Sequence, residues 1–429
     1  MNPQTSHPFL RALLPVGLAF ILLSSILVYA SFFGGINESY RKKAALSMSV
    51  NILTGNFIKN GAFDDPQYVP FFGSSELRRF DSFHPSVLAE KYGREYRPFL
   101  LGTAGSQSLI HYSMLSSMEH EMRGRKAVFV LSPQWFLKGG MSRDSFELLY
   151  SPLQIYQWIT GIDVPDEYDV YYARRLLSYD VVNNNRLMRT ALEEIARRKK
   201  PSFYIKTACS LEYRLLFIED SVFSRVHLPT RNLKKLGSKL PDSYDLKELD
   251  RLAWEEGEEN TSNNKLRIQN SFYNNRLRMH IKNLKGSQTK LNYTKSPEFG
   301  DFELVLHKMQ ELKMDVLFVI PPINGRWISY TGLPREMLQT WTDKIKMQLQ
   351  GQGFKNILDM QNHTDSAYFT QDTIHIGWRG WVAADKAIAP FLESKEAPSS
   401  SRYLTDTYYL SKAWADFLPA PNKEKPERG

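Results

Sequence analysis

The sequence predicts an α/β fold in which a parallel β-sheet is flanked by helices, with a helical insertion and one N-terminal transmembrane helix. Three observations lead to this expectation. Short apolar runs rich in β-branched and aromatic residues recur along the chain, helical stretches alternate with them, and a long uncharged run lies near the N-terminus. Alternation of this kind is typical of sheets with helices on both faces, whose sites form outside the C-terminal ends of the strands.

The predicted strands are short continuous apolar runs, which is the pattern of strands buried on both faces. They are Tyr68–Phe72, Phe99–Gly102, Ala127–Leu131 and Asp315–Ile320, with a weaker fifth run at Asn356–Asp359. The predicted helices between or after them are Gln107–Met122, Phe302–Lys313, Glu336–Gln350 and Trp381–Leu392.

The alternation divides the chain into an N-terminal segment, an α/β domain and a tail. Residues 41–395 form the predicted domain, and residues 141–295 interrupt it with a polar, mostly helical stretch between the third and fourth strands. Residues 396–429 are rich in Ser, Pro and charged side chains, so we expect a flexible tail. Within that tail, Tyr408–Phe417 has the pattern of one short amphipathic helix.

The N-terminal segment 1–40 carries the membrane signal. Leu13–Phe33 contains no charged residue and has about the length that a helix needs to cross a bilayer. A cleavable signal peptide is the alternative, with Val28-Tyr29-Ala30 as a small-residue site, but the apolar run is longer than a usual signal core. We therefore expect an uncleaved anchor. Three basic residues follow at 41–43, so the charge pattern alone leans toward a cytoplasmic body and does not fix the orientation.

Composition limits the function further. The chain has 429 residues, of which 42% are hydrophobic and 13% aromatic, and this excludes a disordered chain. Its formal charge of +9 favours an anionic partner, whether nucleic acid, phospholipid or a polyphosphate polymer. One cysteine, Cys209, excludes a disulfide framework, and the nine histidines are dispersed. We therefore expect no metal site and no cofactor.

A candidate nucleophile follows the first predicted strand. There the sequence reads Phe72-Gly73-Ser74-Ser75-Glu76. A hydroxyl on a turn between a strand and a helix is exposed at the sheet edge, beside backbone amides that can hold an oxyanion. Most turns of this kind are only helix caps, so the motif alone is a weak signal.

A candidate base lies near the other end of the chain, just before the last predicted helix. Asp372 precedes His375 by three residues, on a segment that ends in Gly377 and Trp378. A serine nucleophile needs a general base, and an aspartate can orient the imidazole and stabilise its cation. The alternative is a solvated Asp and a His packed in the core.

The order of the two motifs along the chain resembles that of the SGNH (GDSL-type) hydrolase fold. The resemblance implies an oxyanion hole formed by the Ser75 amide, the Gly105 amide after the second strand and the Gln134 carboxamide after the third. Gln134 departs from the Gly-x-Asn-Asp pattern usual at that place, although its amide group can still donate a hydrogen bond.

Further motifs occur over about residues 65–395. They are the 72–76 motif, His84-Pro85-Ser86, Tyr96-Arg97-Pro98-Phe99, Ser132-Pro133-Gln134-Trp135-Phe136, Thr261 with Asn263-Asn264, Ser296-Pro297-Glu298-Phe299 with Asp301-Phe302, the 315–325 run, Tyr330-Thr331-Gly332 and the 372–381 run. In this order they closely resemble the DltD family, the D-alanyl transfer proteins of teichoic acid D-alanylation in Gram-positive bacteria.

This resemblance implies a cell-membrane protein with one N-terminal helix and an extracellular catalytic domain. It also implies partners: the membrane acyltransferase DltB, the D-alanyl carrier protein DltC acting directly or upstream, and lipoteichoic acid as acceptor. Ser75 would be the nucleophile, His375 the general base and acid, and Asp372 the orienting carboxylate. Arg78, Arg79 and Arg326, with Arg335, are candidate contacts for acceptor phosphates.

Two other functions stay open at this point. A surface esterase or thioesterase of the same fold would use the same three residues and remove D-alanyl or O-acetyl groups. A non-catalytic adaptor would bind the carrier protein or teichoic acid through a degenerate site. Nucleic-acid binding is disfavoured, because the chain has a predicted anchor and lacks zinc or RNP-type motifs.

Overall fold

A five-stranded parallel sheet forms the centre of the computed structural model, which describes residues 15–22, 24–25, 36–224, 228–395 and 407–419. The strands are β1 (Tyr68–Phe72), β2 (Arg97–Leu101), β3 (Lys126–Val130), β4 (Asp315–Ile320) and β5 (Ile357–Asp359). Helices flank the sheet, so the predicted α/β architecture is confirmed, and each predicted strand overlaps an observed one.

The strand order β2-β1-β3-β4-β5 places the first strand in the interior of the sheet. β1 pairs with β2 along its whole length and with β3 through Phe71 and Phe72. Since all strands are parallel, the segments that follow β1, β2 and β3 leave the sheet at one edge. In doubly wound sheets of this order the site lies where the chain direction switches, between β1 and β3.

Both faces of the sheet are buried by helices. Phe72 and Phe129 belong to the core on one face, while their neighbours Phe71 and Val128 belong to the core on the other. Because successive strand residues point to opposite faces, a strand buried on both sides must be apolar throughout. This explains why continuous apolar runs predicted the strands.

The helices outside the insertion are Glu38–Ser47, Val50–Thr54, Phe57–Phe63, Pro85–Lys91, Ser108–Ser117, Glu119–Met122, Gly325–Thr331, Arg335–Gly351 and Trp378–Glu393, with 3₁₀ turns at Ser75–Arg78, Pro133–Trp135 and Gln361–His363. The helix predicted at Gln107–Met122 is two helices, because the backbone of Met118 leaves the helical region.

After the Pro133–Trp135 turn, the remaining described elements between β3 and β4 are all helical: Arg143–Leu149, Pro152–Gly161, Glu167–Leu176, Asp180–Asn183, Arg186–Ala196, Phe203–Phe223, Leu233–Leu236, Gly237–Lys239, Leu246–Asn260, Asn270–Phe272, Tyr273–Leu277, Ile281–Leu284 and Glu298–Glu311. The last begins four residues before its predicted start, since Pro297 precedes it and acidic residues occupy its first turn. The helix Leu246–Asn260 of the insertion packs on the helix Trp378–Glu393. An ion pair between Asp250 and Arg379 joins the two helices.

The described residues contain no helix that is both long and apolar enough to span a bilayer. Residues 15–22 are helical and exposed. Most of the predicted anchor at 13–33 lies outside the described residues.

The tail differs from the expectation of flexibility at residues 407–419. Thr407–Leu410 forms a 3₁₀ turn, and Lys412–Asp416 forms a short helix within the predicted Tyr408–Phe417 segment. Trp414 is 2% exposed, and its indole N–H donates to Gln348 Oε1 at 3.0 Å. A buried aromatic side chain with a satisfied N–H fixes this segment to the Arg335–Gly351 helix.

Replacing Trp414 by Ala is expected to lower the free energy of unfolding by about 3 kcal/mol, because the change empties a buried site and leaves Gln348 without its donor. Urea unfolding measures the loss. Leu418→Ala is the control: its side chain is 49% exposed, so the change should stay within about 0.5 kcal/mol. Equal stability of the two variants would contradict the docking of this segment.

Candidate active site

The turn after β1 carries the candidate nucleophile. β1 ends at Phe72, and the 3₁₀ turn Ser75–Arg78 follows after Gly73 and Ser74. The turn after β2 packs directly against it: a Cβ on Gly102 would lie 1.9 Å from the carbonyl oxygen of Gly73. Ser74 Oγ also donates to Thr103 O at 3.0 Å. These contacts hold Ser75 half-buried at the sheet edge.

A closed loop carries the candidate base. Thr370 and Ile376 form an antiparallel bridge, and the Gln371 amide donates to His375 O at 2.9 Å. The helix Trp378–Glu393 starts immediately after this loop. A Cβ on Gly377 would lie 2.5 Å from the backbone nitrogen of Gln371, so glycine is needed for the helix to start so close to the loop. Asp372 and His375 are thereby held on one rigid turn.

The two motifs meet, although 300 residues separate them. Ser75 Oγ lies 2.8 Å from His375 Nε2, and Asp372 Oδ2 lies 2.7 Å from His375 Nδ1. With its Nδ1 proton donated to the carboxylate, the imidazole presents Nε2 as the acceptor of the serine proton. The arrangement has the contacts of a Ser-His-Asp triad, in which the hydroxyl can attack an acyl carbonyl.

Asp372 is buried and fully surrounded by partners. Burial alone would raise the pKa of its carboxyl, but attraction to His375, hydrogen bonding and the charge of Arg79 lower the pKa below its ordinary value. Arg79 Nη2 lies 3.0 Å from Asp372 Oδ2. The amides of Ile374 and His375 each donate to Oδ1 at 3.1 Å. The carboxylate therefore stays ionised beside the imidazole.

A second buried carboxylate, Glu76, links the turns after β1 and β3. It accepts hydrogen bonds from the Ser74 amide at 2.9 Å and from Ser132 Oγ, and the Gln134 amide group lies 3.4 Å away. The sequence contained Glu76 within a motif without indicating its role. The local sign of a buried role was an acidic residue that stands between a small and an apolar residue in the turn after β1.

The candidate oxyanion donors lie on the neighbouring turns. Gly105 follows Thr103 by two residues and has a φ of +88°, in the region that favours glycine. A Cβ there would also lie 2.7 Å from Ser145 Oγ. Gln134 belongs to the 3₁₀ turn after β3, next to the hydrogen bonds of Glu76. Both therefore lie on turns at the sheet edge that carries Ser75.

The four arginines that are candidate phosphate contacts differ in the partners that surround them. Arg79 is engaged with Asp372, and its guanidinium lies 5.1 Å from the ring centre of Phe272. Arg78 is exposed. Arg326 donates to Lys265 O at 2.7 Å, and Arg335 forms an ion pair with Asp365 at 2.8 Å. Arg79 is thus bound to the triad, which sequence spacing did not indicate.

Asn324, at the end of the β4 segment, fixes the loop from the other side. Its amide group lies 3.3 Å from Asp372 O as donor, and its backbone N–H donates to Thr373 O at 3.1 Å. Its side-chain oxygen accepts from the Trp327 amide, which caps the Gly325–Thr331 helix. Asn324 was part of a recognised motif, but only the fold shows that it positions the loop.

His84 supports the nucleophile turn from beneath. Its Nδ1 accepts from the Ser86 amide at 3.2 Å, so Nε2 carries the proton and donates to Leu77 O at 3.2 Å. Burial lowers the pKa of His84 to about 3. The ring stacks on Phe80 with centroids 4.0 Å apart, so its role is packing and support of the turn.

Across the described ranges, no three His, Cys, Asp or Glu side chains are grouped so that they could hold a metal ion. The single Cys209 is buried in the insertion, and burial raises the pKa of its thiol to about 11. The nucleophile that the geometry offers is Ser75.

Comparison with known proteins gives consistent matches over most of the chain. The family model described as DltD protein matches residues 45–393. Protein DltD of Lacticaseibacillus rhamnosus is 42% identical over 410 residues, which cover 94% of this chain and 96% of that protein. Protein DltD of Bacillus subtilis (strain 168) is 32% identical over 389 residues, which cover 90% of this chain and 98% of that protein.

Replacing Asp372 by Asn is expected to reduce kcat for a small activated ester by about 10⁴-fold with little change in KM. The amide group would face His375 Nδ1 and favour the tautomer whose Nε2 cannot accept the serine proton. Asp365→Asn is the control, because that carboxylate is exposed and pairs with Arg335. Retention of a tenth of the activity or more by Asp372→Asn would exclude the orienting role.

Acidification should destabilise the protein through His84. Its pKa falls from 6.5 to about 3 on folding, so below pH 6.5 the unfolded chain binds a proton that the folded chain does not. Stability contributed by the neutral ring is complete above pH 6.5 and declines by about 1.4 kcal/mol per pH unit as the pH falls.

Urea unfolding between pH 6 and pH 4 checks this. His84→Asn should make the decline shallower by about that amount per pH unit, whatever its stability at pH 8. His280→Asn, at an exposed position, should retain the wild-type slope. Identical slopes for His84→Asn and the wild type would be inconsistent with a buried neutral His84.

Proposed function

The chain belongs to the DltD protein family, and on that premise we propose that it is a membrane-anchored, extracellular D-alanyl transfer protein that acts in the D-alanylation of lipoteichoic acid. The observation that carries a chemical role is the hydrogen-bonded series Ser75–His375–Asp372 at the end of β1. A nucleophile in contact with an oriented base is the requirement for covalent acyl transfer.

In the first half-reaction, Ser75 Oγ attacks the carbonyl carbon of a D-alanyl ester or thioester while its proton passes to His375 Nε2. The tetrahedral intermediate collapses with cleavage of the bond to the donor oxygen or sulfur. His375 returns the proton to that leaving group, and D-alanine remains esterified to Ser75. Asp372 stabilises the imidazolium throughout, because its carboxylate is buried beside Nδ1 and stays ionised.

In the second half-reaction, a hydroxyl of the acceptor replaces the donor. His375 takes the hydroxyl proton as the oxygen attacks the acyl carbon, and cleavage of the bond to Ser75 Oγ returns that proton to the serine. The amides of Ser75 and Gly105 and the carboxamide of Gln134 are the proposed oxyanion donors. Donors of this kind typically contribute factors of 10² to 10³.

In this function the protein acts in one pathway with the membrane acyltransferase DltB and the D-alanyl carrier protein DltC. The catalytic domain is proposed to be of the SGNH type, held outside the cell by the segment 13–33. The order of the three site residues along the chain and their positions after β1 and before the last long helix support that assignment.

Hydrolysis is the nearest alternative reaction, since a water molecule could replace the acceptor hydroxyl at the same acyl-enzyme. The product distinguishes the two: acylated polymer from transfer, free D-alanine from hydrolysis. The contacts of Ser75 with His375 favour either reaction over a non-catalytic adaptor, which would not require a base within 2.8 Å of the hydroxyl.

Replacing Ser75 by Ala should abolish formation of a covalent D-alanyl adduct and reduce ester turnover at least about 10³-fold, because no nucleophile remains beside His375. Mass spectrometry of the intact protein after brief incubation with a D-alanyl thioester measures the adduct. Ser329→Ala, which changes an exposed serine on another helix, should acylate normally. Undiminished acylation of Ser75→Ala would refute the assignment.

A further inference from the structure

A cleft of about 900 Å³ lies beside the sheet, away from the triad. It is bounded by the helices Glu38–Ser47 and Pro85–Lys91, the first residues of β2, and the segment 230–234. Two acidic side chains line it, Glu38 and Glu90. Its basic lining side chains are Lys42, Lys43, Arg94, Arg97, Arg231 and Lys234.

One end of the cleft is far from Ser75, and the other approaches its turn. Tyr68 and Arg97 are paired first residues of β1 and β2, so they mark the edge of the sheet opposite the triad. At the other end, the guanidinium of Arg231 lies 4.1 Å from the ring centre of Phe80. A five-residue strand is about 16 Å long, which sets the approximate extent of the cleft.

Arg231 connects this cleft to the nucleophile turn. Its guanidinium lies 4.1 Å from the ring centre of Phe80, two residues after Arg78, and burial together with the positive charge of Arg78 lowers its pKa. Arg78 is the last residue of the 3₁₀ turn that begins at Ser75. The cleft therefore ends beside the element that carries the nucleophile.

The cations of the cleft divide into two kinds. Arg94 forms a bidentate pair with Asp385, and Arg97 pairs with Glu38, so both have structural partners. Lys43, Lys234 and Arg231 form no ion pair with any carboxylate in the described part of the chain. Unpaired cations in a concave surface create a positive potential that attracts anions.

We propose that this cleft binds the acceptor: a segment of a glycerol-phosphate chain lies along it, with its phosphates on Lys43, Lys234 and Arg231, and leads its hydroxyls toward the Ser75 turn. This inference rests on the proposed function. A phosphodiester chain carries one negative charge per repeat, which suits cations distributed along a cleft of this length better than a single headgroup does. The cleft also borders Glu38–Ser47, the first helix after the expected anchor, where a lipid-linked chain would approach.

The test uses the full-length protein in nanodiscs of neutral phosphatidylcholine and lipid-free poly(glycerol phosphate) as the probe. Lys43→Gln with Lys234→Gln should weaken polymer binding at least about tenfold, since the change removes two of the three cleft cations that lack a carboxylate partner in the described part of the chain. Lys235→Gln with Lys239→Gln removes the same charge from exposed positions outside the cleft, so it should change affinity less than twofold.

Three results would overturn the inference. Equal losses in the two double variants would show general surface attraction. Unchanged polymer affinity in the cleft variant would exclude the site. Loss of binding to phosphatidylglycerol vesicles without loss of polymer binding would show a headgroup site. Small-ester turnover should be unchanged in both variants, because none of the four lysines belongs to the triad. The inference therefore fails separately from the proposed function, whose test is Ser75.

Discussion

The buried carboxylate of Asp372 is the interaction on which the site depends. A charge removed from water is tolerated only when hydrogen bonds and opposite charges surround it, and here the His375 ring, two backbone amides and Arg79 provide them. Because Arg79 follows the β1 turn and His375 precedes the last long helix, satisfying this one carboxylate ties two distant parts of the chain together. The Ser75–His375 contact is then a consequence of the same arrangement.

Glu76 performs a similar task in the turn that carries the nucleophile. It receives hydrogen bonds from the turns after β1 and β3, while Ser74 reaches the turn after β2. Three turns that leave parallel strands at one edge are thereby joined by side chains, in addition to the sheet beneath them. A site built this way holds its proposed oxyanion donors in place before a substrate arrives, which is the condition for electrostatic stabilisation of a transition state.

The predictable and unpredictable parts of the molecule differ in the range of the interactions that decide them. The strands could be predicted because burial on both faces requires continuous apolar runs, and Ser75 and His375 stood at recognisable local positions. The functions of Glu76, Arg79 and Asn324 depend on partners 48 or more residues away along the chain. The docking of residues 407–419 likewise depends on Gln348, whose availability as an acceptor has no local signal.

Arg79 also changes how the basic side chains near the site are understood. The guanidinium of Arg79 already pairs with Asp372 and contributes to the lowered pKa of that carboxyl, so a phosphate bound there would compete with this ion pair. Lys43, Lys234 and Arg231, which have no carboxylate partner among the described residues, instead line the cleft beside the sheet. In the proposed function this separates two tasks. Charges at the triad keep the catalytic carboxylate ionised, whereas charges in the cleft hold the polymer. Because the two sets of charges are separate, a polymer bound in the proposed cleft would leave the hydrogen bonds of Asp372 and His375 undisturbed.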